Sequence, residues 1–285
     1  DYASLQPINP RLIYASGSGF GPGGPLVHKA GQDLLAQSMS GLASRNAGDD
    51  GQPQLFPTAL GDFTAGMILA QGVLLALYQR ERTGKGACLH VCLLDTLLAL
   101  QQQEATQWML RRRPVNWITQ NLIDIFRTAD GAVTLVGVFR PNPLALVCEA
   151  LGIEDLAQRP EYATLALQMQ NRAQLWRELG AGFARHTTAE CLERLDRADI
   201  LCAPVMTLDE ALHQPQVEAN GILVSFDHPV HGKVRTTGNP LHLSGVDQIA
   251  LRPAPLLGEH TEEVLEQLGV SPQRIAKLRA DAVIN

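Results

Sequence analysis

Two stretches hold residues whose type and spacing suit chemistry. The first is Ala59-Leu60-Gly61-Asp62-Phe63-Thr64-Ala65-Gly66, where one carboxylate, flanked by glycines, stands at the start of a long apolar run. A helix N-terminus favours the ionised form of such an aspartate. It can serve as a plain N-cap, and an ionised carboxylate can also attack an activated acyl carbon. The two roles are compatible, and the residues alone leave both open. The second stretch is RLIYASGSGFGPGGP (11–25), in which Gly19, Gly21 and Gly24 match G-x-G-x-x-G. A dinucleotide loop must open directly into a helix whose first amides meet a pyrophosphate. Here Pro22 and Pro25 intervene and the next helical pattern waits until Asp33. No acidic residue stands at ribose distance: Asp33 comes too early, and Asp49-Asp50 reads as loop. Thr83-Gly84-Lys85-Gly86 lacks the upstream glycine and the Ser/Thr of a P-loop. Ser16 occupies the place a nucleophile elbow reserves for its first glycine. What remains is a strand followed by chain of little bulk, able to approach a ligand closely.

The elements that must position these residues follow from periodicity and caps. Residues 1–8 predict a short helical turn, 11–16 a buried strand and 33–42 a helix. The strongest helix is 62–82, closed by Gly84 as a left-handed cap. Within it Gly66 and Ala70, and Gly72 and Ala76, stand four apart and allow close packing. Residues 87–93 read as a strand, and Asp95 caps a helix running to about 112. Beyond Pro114 the texture changes: 125–136 reads as two strands about an Asp130-Gly131 turn. Helices at about 142–151, 169–185 and 188–197 follow, the last introduced by Thr187 and Glu190 in capping-box spacing. A hairpin (222–226 and 233–237, with His231-Gly232 at its turn) and helices from Thr261 and from Ser271-Pro272 close the chain.

Composition narrows the function. With 285 residues the chain can bury a substantial core. A net charge of −6 argues against a broad nucleic-acid or anionic-membrane surface. The longest apolar run, 67–78, is interrupted by Gln71-Gly72 and falls short of a bilayer span. The five cysteines (88, 92, 148, 191 and 202) are odd in number and scattered, which points to a reducing cytoplasm rather than a disulfide framework. Cys88 and Cys92 have no second close pair, so a zinc site lacks support. The chain opens on Asp1 without a Met and reads as beginning inside a longer polypeptide. Arg111-Arg112-Arg113 fits a helix C-terminus, where cations are favoured; His228 and His231 read as turn residues and Cys202 as packing.

Six stretches taken in order, 8–25, 31–42, 61–77, 82–95, 200–217 and 254–269, resemble the class III CoA-transferases, and the resemblance covers essentially the whole chain. It implies an α/β fold, the C-terminal two-thirds of that family's architecture: a large Rossmann-like domain plus a small α/β domain, in an interlocked homodimer. On this basis 1–117 belongs to the large domain with the catalytic aspartate, 118–205 to the small domain, and 206–285 returns to complete the large one.

The resemblance also implies a role for Asp62 as the nucleophile that moves CoA from an acyl-CoA thioester to a carboxylic acid. No cofactor is implied; CoA enters as substrate. Gly61 gives the aspartate backbone room, and Gly19 and Phe20 of the glycine stretch face the thioester. Lys29, with His28 before it, stands where family members carry a basic residue near the CoA phosphates, or is a solvated loop lysine. Asp33 orients the site or caps its own helix. The related α-methylacyl-CoA racemases carry a histidine immediately before the aspartate matching Asp33; here that residue is Gln32, an amide with no usable pKa for proton transfer. Glu259-His260 falls in the family's G-E-H-T element, read as structural. The alternatives are a CoA-thioester racemase or isomerase, and a non-catalytic fragment that keeps the fold without turnover.

Overall fold

The computed structural model describes residues 1–48, 51–245 and 252–284; Asp49 and Asp50 lie outside the described residues. The chain is a mixed α/β protein in two compact units, Asp1–Ile123 and Asp124–Asn285, and residues 206–285 fall in the second.

In the first unit, strand β1 (Ile13–Ser18) pairs in parallel with β2 (Ala87–Cys92), in the register Ser16 to His90 and Gly17 to Val91. Both strands carry the expected apolar and β-branched residues, but β1 starts two residues later than predicted and is half-buried rather than buried. Helix α1 (Tyr2–Leu5) precedes β1, and α2 (Asp33–Met39), α3 (Leu42–Arg45) and α4 (Leu60–Thr83) run between the strands. The expected single helix over 33–42 therefore ends at Met39. Helix α4 closes at Gly84, whose φ of 72° and amide bond to the Arg80 carbonyl make the predicted left-handed cap. It begins earlier than predicted, with Ala59 at the N-cap, so Asp62 is its third residue and not its cap. The interruption at Gln71-Gly72 does not shorten it: among the described residues α4 is a 24-residue helix, long and apolar enough by length and composition to cross a membrane, its most apolar 18-residue stretch having a mean hydropathy of 1.6. In this unit it packs on β1, β2, α2 and the following helix, α5 (Leu93–Leu100).

Asp95 does not cap α5. Cys92 does, its Sγ accepting from the Asp95 amide at 3.5 Å. The expected helix to 112 is broken at Gln101, where α6 (Gln102–Arg111) begins. The break has a local cause: the Gln101 amide N–H turns to the Leu98 carbonyl, and the buried Gln101 side chain donates instead to the Leu97 carbonyl at 3.0 Å and to Ser40 at 3.2 Å. Ala36, Leu42 and Leu97, with Phe56, Leu60 and Leu93 against them, form the apolar cluster under the start of α4.

The second unit carries a three-stranded sheet in the order β3 (Ile123–Arg127), β4 (Ala132–Val136), β5 (Leu201–Pro204), with β4 and β5 antiparallel. The predicted turn at Asp130-Gly131 joins β3 to β4, with the Thr128 amide donating to Gly131. Helices α7 (Pro143–Leu151), α8 (Leu165–Gln170), α9 (Arg172–Phe183) and α10 (Thr188–Arg197) follow, so the segment read as one helix over 169–185 is two. The capping box of Thr187 and Glu190 is formed, and the Thr187 backbone amide holds the Glu190 carboxyl below the usual range. Phe126 stacks on Phe183 at 4.5 Å between ring centres, in a core that also buries Leu135, Leu175, Leu179 and Leu195 completely. Short helices α11 (Leu208–Leu212) and α12 (Pro215–Ala219) lead to the predicted hairpin, β6 (Leu223–His228) and β7 (Gly232–Thr237). The chain closes with α13 (Thr261–Gln267) and α14 (Pro272–Ala280), the latter capped by Ser271.

Candidate active site

Asp62 stands in the first turn of α4, exposed, at the edge of a cleft of about 450 Å³ in the first unit. The cleft is lined from three sides. β1 and the glycine stretch contribute Gly17, Ser18 and Gly19; the start of α2 contributes Gly31 and Gln32; and α4 contributes Asp62, Ala65, Gly66 and Leu69, with Val91 and Leu93 beneath. Small residues dominate the walls, so backbone rather than side chain meets whatever occupies the space.

The glycines are required by a close crossing of the chain. A Cβ placed on Gly19 would lie 2.4 Å from the Gly31 Cα, and one on Gly31 would lie 2.4 Å from the Gly19 Cα, distances that no side chain can share. The glycine stretch is thus a loop whose two ends touch, and both ends line the cleft. The Gly19 carbonyl accepts from the Leu94 amide at 3.1 Å, which ties the crossing to the start of α5.

Beneath the cleft lies a buried polar cluster that holds the start of α4. Asp33 is 2% exposed, and its Oδ1 accepts from the amides of Gly61 at 2.6 Å and Asp62 at 3.1 Å. Four amides at a helix start have no partner within the helix; Asp33 satisfies two of them from outside. It therefore caps α4 and not its own helix, contrary to the second of the two expectations for it. The cap of α2 is Gln32, whose Oε1 accepts from the Leu34 amide at 2.9 Å. Asp33 Oδ2 accepts from Gln37 Nε2 at 2.7 Å. Gln37, fully buried, also donates to the carbonyls of Phe56 and Thr58 and accepts from the Phe56 amide, which fixes the orientation of its side-chain amide. Gly61 is needed for this contact, because a Cβ there would lie 2.9 Å from Asp33 Oδ1 and 3.1 Å from Leu97 Cδ1. The cluster anchors the backbone of the residue whose side chain faces the cleft.

Of the residues named from sequence, the structure brings Gly19, Gln32 and Asp62 to one cleft and sets Asp33 and Gly61 directly below it. Phe20 is buried at 9% exposure and is not among the residues lining the cleft; Lys29 and His28 are exposed and likewise outside the lining. Sequence reading passed over Ser18, Gly31, Gln37 and His90. The alternation of Ser16 and Ser18 along a strand was visible, but the parallel register that sets His90 beside them was not.

Residues 1–261 match CoA-transferase family III. The succinyl-CoA:glutarate CoA-transferase of Mus musculus is 32% identical over 289 residues, covering 99% of this chain and 66% of that protein. The acetyl-CoA:oxalate CoA-transferase of Acetobacter aceti is 32% identical over 266 residues, covering 91% of this chain and 67% of that protein. The chain thus spans about two-thirds of the length of these relatives, and just under that share of the mouse one. Among solved structures, a CAIB/BAIF family protein from Brucella suis superposes with a TM-score of 0.80 at 27% identity, over 94% of this chain and 71% of that one.

Proposed function

Because the chain belongs to CoA-transferase family III, we propose that it transfers CoA from an acyl-CoA thioester to a carboxylic acid, with Asp62 as the nucleophile. The Asp62 carboxylate attacks the thioester carbonyl and the carbon–sulfur bond breaks, leaving an aspartyl–acyl anhydride and CoA thiolate. The thiolate attacks the aspartyl carbonyl and expels the donor acid as its carboxylate, leaving CoA on Asp62 as a thioester. The acceptor carboxylate then attacks that thioester and releases the thiolate, forming a second anhydride. The thiolate takes the acceptor acyl group and returns Asp62 to its carboxylate. The acid and CoA alternate on one aspartate, so no bound cofactor is needed. Assembly as a homodimer and a cytoplasmic location belong to the same reading.

The observation that carries this proposal is Asp62 itself: an exposed carboxylate over a cleft walled by glycines, with its backbone amide held from below by Asp33. Each intermediate requires an acyl or thioester group attached to this side chain, and backbone walls leave room for it. Gln32 supports the transferase over the racemase. It lines the cleft, but an amide cannot exchange a proton with a substrate carbon, and its oxygen is occupied in capping α2.

The test uses formyl-, acetyl- and succinyl-CoA as donors, followed by hydroxylamine and peptide mass analysis. We expect a hydroxamate at Asp62 and no label at that peptide in Asp62→Ala. Full transfer by Asp62→Ala would overturn the mechanism.

A further inference from the structure

One residue of the cleft wall, Ser18, belongs to a hydrogen-bonded chain that the mechanism above does not use. The His90 ring on β2 bridges two serines of β1, with Nδ1 2.9 Å from Ser16 Oγ and Nε2 3.1 Å from Ser18 Oγ. Ser18 Oγ also accepts from the Gly21 amide at 2.9 Å, and Ser18 lines the cleft with Asp62. A serine hydroxyl has one hydrogen to donate and two lone pairs. A neutral imidazole donates from one nitrogen and accepts at the other, so the chain can run in either direction with every bond intact. In one direction His90 Nδ1–H donates to Ser16 and the Ser18 hydroxyl donates to Nε2. In the other, the Ser16 hydroxyl donates to Nδ1 and Nε2–H donates to Ser18. Both lone pairs of Ser18 are then taken, by Gly21 and His90, and its hydrogen has no partner in this chain of bonds.

We propose that Ser18 is a substrate-binding residue, donating that hydrogen to a carboxylate oxygen of the acid exchanging at Asp62, with His90 as the positioning residue that releases it. The proposal rests on the CoA-transferase reading and adds a binding group for the acid. The ligand class follows from the donor: with the Ser18 oxygen fully engaged, the group offers a hydrogen only and recognises an acceptor such as a carboxylate. Binding the acid fixes one direction of the chain without breaking a bond elsewhere.

The experiment measures isotope exchange between radiolabelled succinate and succinyl-CoA, so that one acid serves as donor and acceptor, in wild type, Ser18→Ala and Ser18→Thr. Hydroxylamine labelling of Asp62 runs in parallel. We expect Ser18→Ala to raise the KM for succinate about tenfold or more, the loss of a hydrogen bond to a charged group, while Asp62 is still labelled; Ser18→Thr, which keeps the hydroxyl, restores the KM. In nitrogen-15 spectra, with His90 assigned by His90→Gln, succinate should move the imidazole toward its Nε2–H tautomer. A succinate KM within twofold of wild type in a Ser18→Ala protein that labels at Asp62 overturns this proposal alone. An imidazole spectrum unmoved by succinate at concentrations that saturate exchange overturns the role of His90. A wild-type protein with neither label nor exchange overturns the transferase reading and this proposal together.

Discussion

The two units of the chain are held by different means. The second encloses Tyr162, Phe183 and a set of leucines with essentially no exposure, and its helices are fixed by the volume of those side chains. The first does the opposite along its main helix. α4 runs for 24 residues yet buries only Gly61 and Ala76, and it leaves Phe63, Met67, Leu74, Leu75 and Tyr78 exposed. What holds its N-terminal end, beside the small apolar cluster of Ala36, Leu42 and Leu97, is a buried carboxylate and a buried amide. Close-packed apolar cores respond to changes in volume, whereas a buried polar cluster responds to the loss of any partner. One unit is therefore sensitive to size and the other to hydrogen-bonding capacity.

Three substitutions would sharpen or break this contrast. The largest effect is expected for Asp33→Ala, which strips a partner from the amides of Gly61 and Asp62 and from Gln37 at once. Counting each bond to a charged acceptor at about 1.5 kcal/mol, the first unit loses on the order of 4 kcal/mol. Hydrogen exchange resolved by peptide should show this loss confined to residues 1–123, with labelling of Asp62 by acyl-CoA and hydroxylamine falling at least in parallel. Unchanged protection at the start of α4 would contradict the role assigned to Asp33. Next is Leu179→Ala in the second unit, a fully buried position, expected to cost about 3 kcal/mol in urea unfolding followed at Trp176. Asp62 labelling in the folded protein should be unaffected, and a loss of labelling would break the separation. The smallest is Gly31→Ala. The added methyl meets the Gly19 backbone and must push the crossing apart, at about 2 kcal/mol, and a rate of Asp62 labelling equal to wild type would show that the crossing does not shape the cleft.

Much of the fold was legible because local signals carried it. The Gly84 cap, the Thr187–Glu190 capping box, the Asp130-Gly131 turn and the final hairpin each depend on residues close in sequence, and each formed as read. Errors arose where a partner other than the expected one took the bond. Asp62 looked like an N-cap because aspartate is a preferred cap, but the helix starts at Leu60, and two of its first amides, those of Gly61 and of Asp62 itself, are taken by Asp33, twenty-nine residues before Asp62. Asp95 lost its capping role to Cys92, and the helix expected to run to 112 broke where the Gln101 side chain took over a backbone bond. At the site, the composition of the glycine stretch announced close approach without saying to what; its partner, Gly31, stands beyond Lys29 in an unremarkable Ala-Gly-Gln. The residues singled out Asp62, and resemblance to a family supplied its expected role as nucleophile. It did not supply the Ser16–His90–Ser18 chain, which exists only once two strands pair in parallel and in a specific register.

The crossing of Gly19 and Gly31 has a further consequence. A loop pinched shut at its neck separates the part beyond the buried Phe20 and the Ser18-bonded Gly21 from the walls it leaves behind, so that part can lengthen, shorten or change sequence while the neck keeps its geometry. Loop closure is only weakly dependent on length, so residues 22–29 form a cassette in which a peptide tag or a grafted sequence could be exchanged without resetting the cleft beside it.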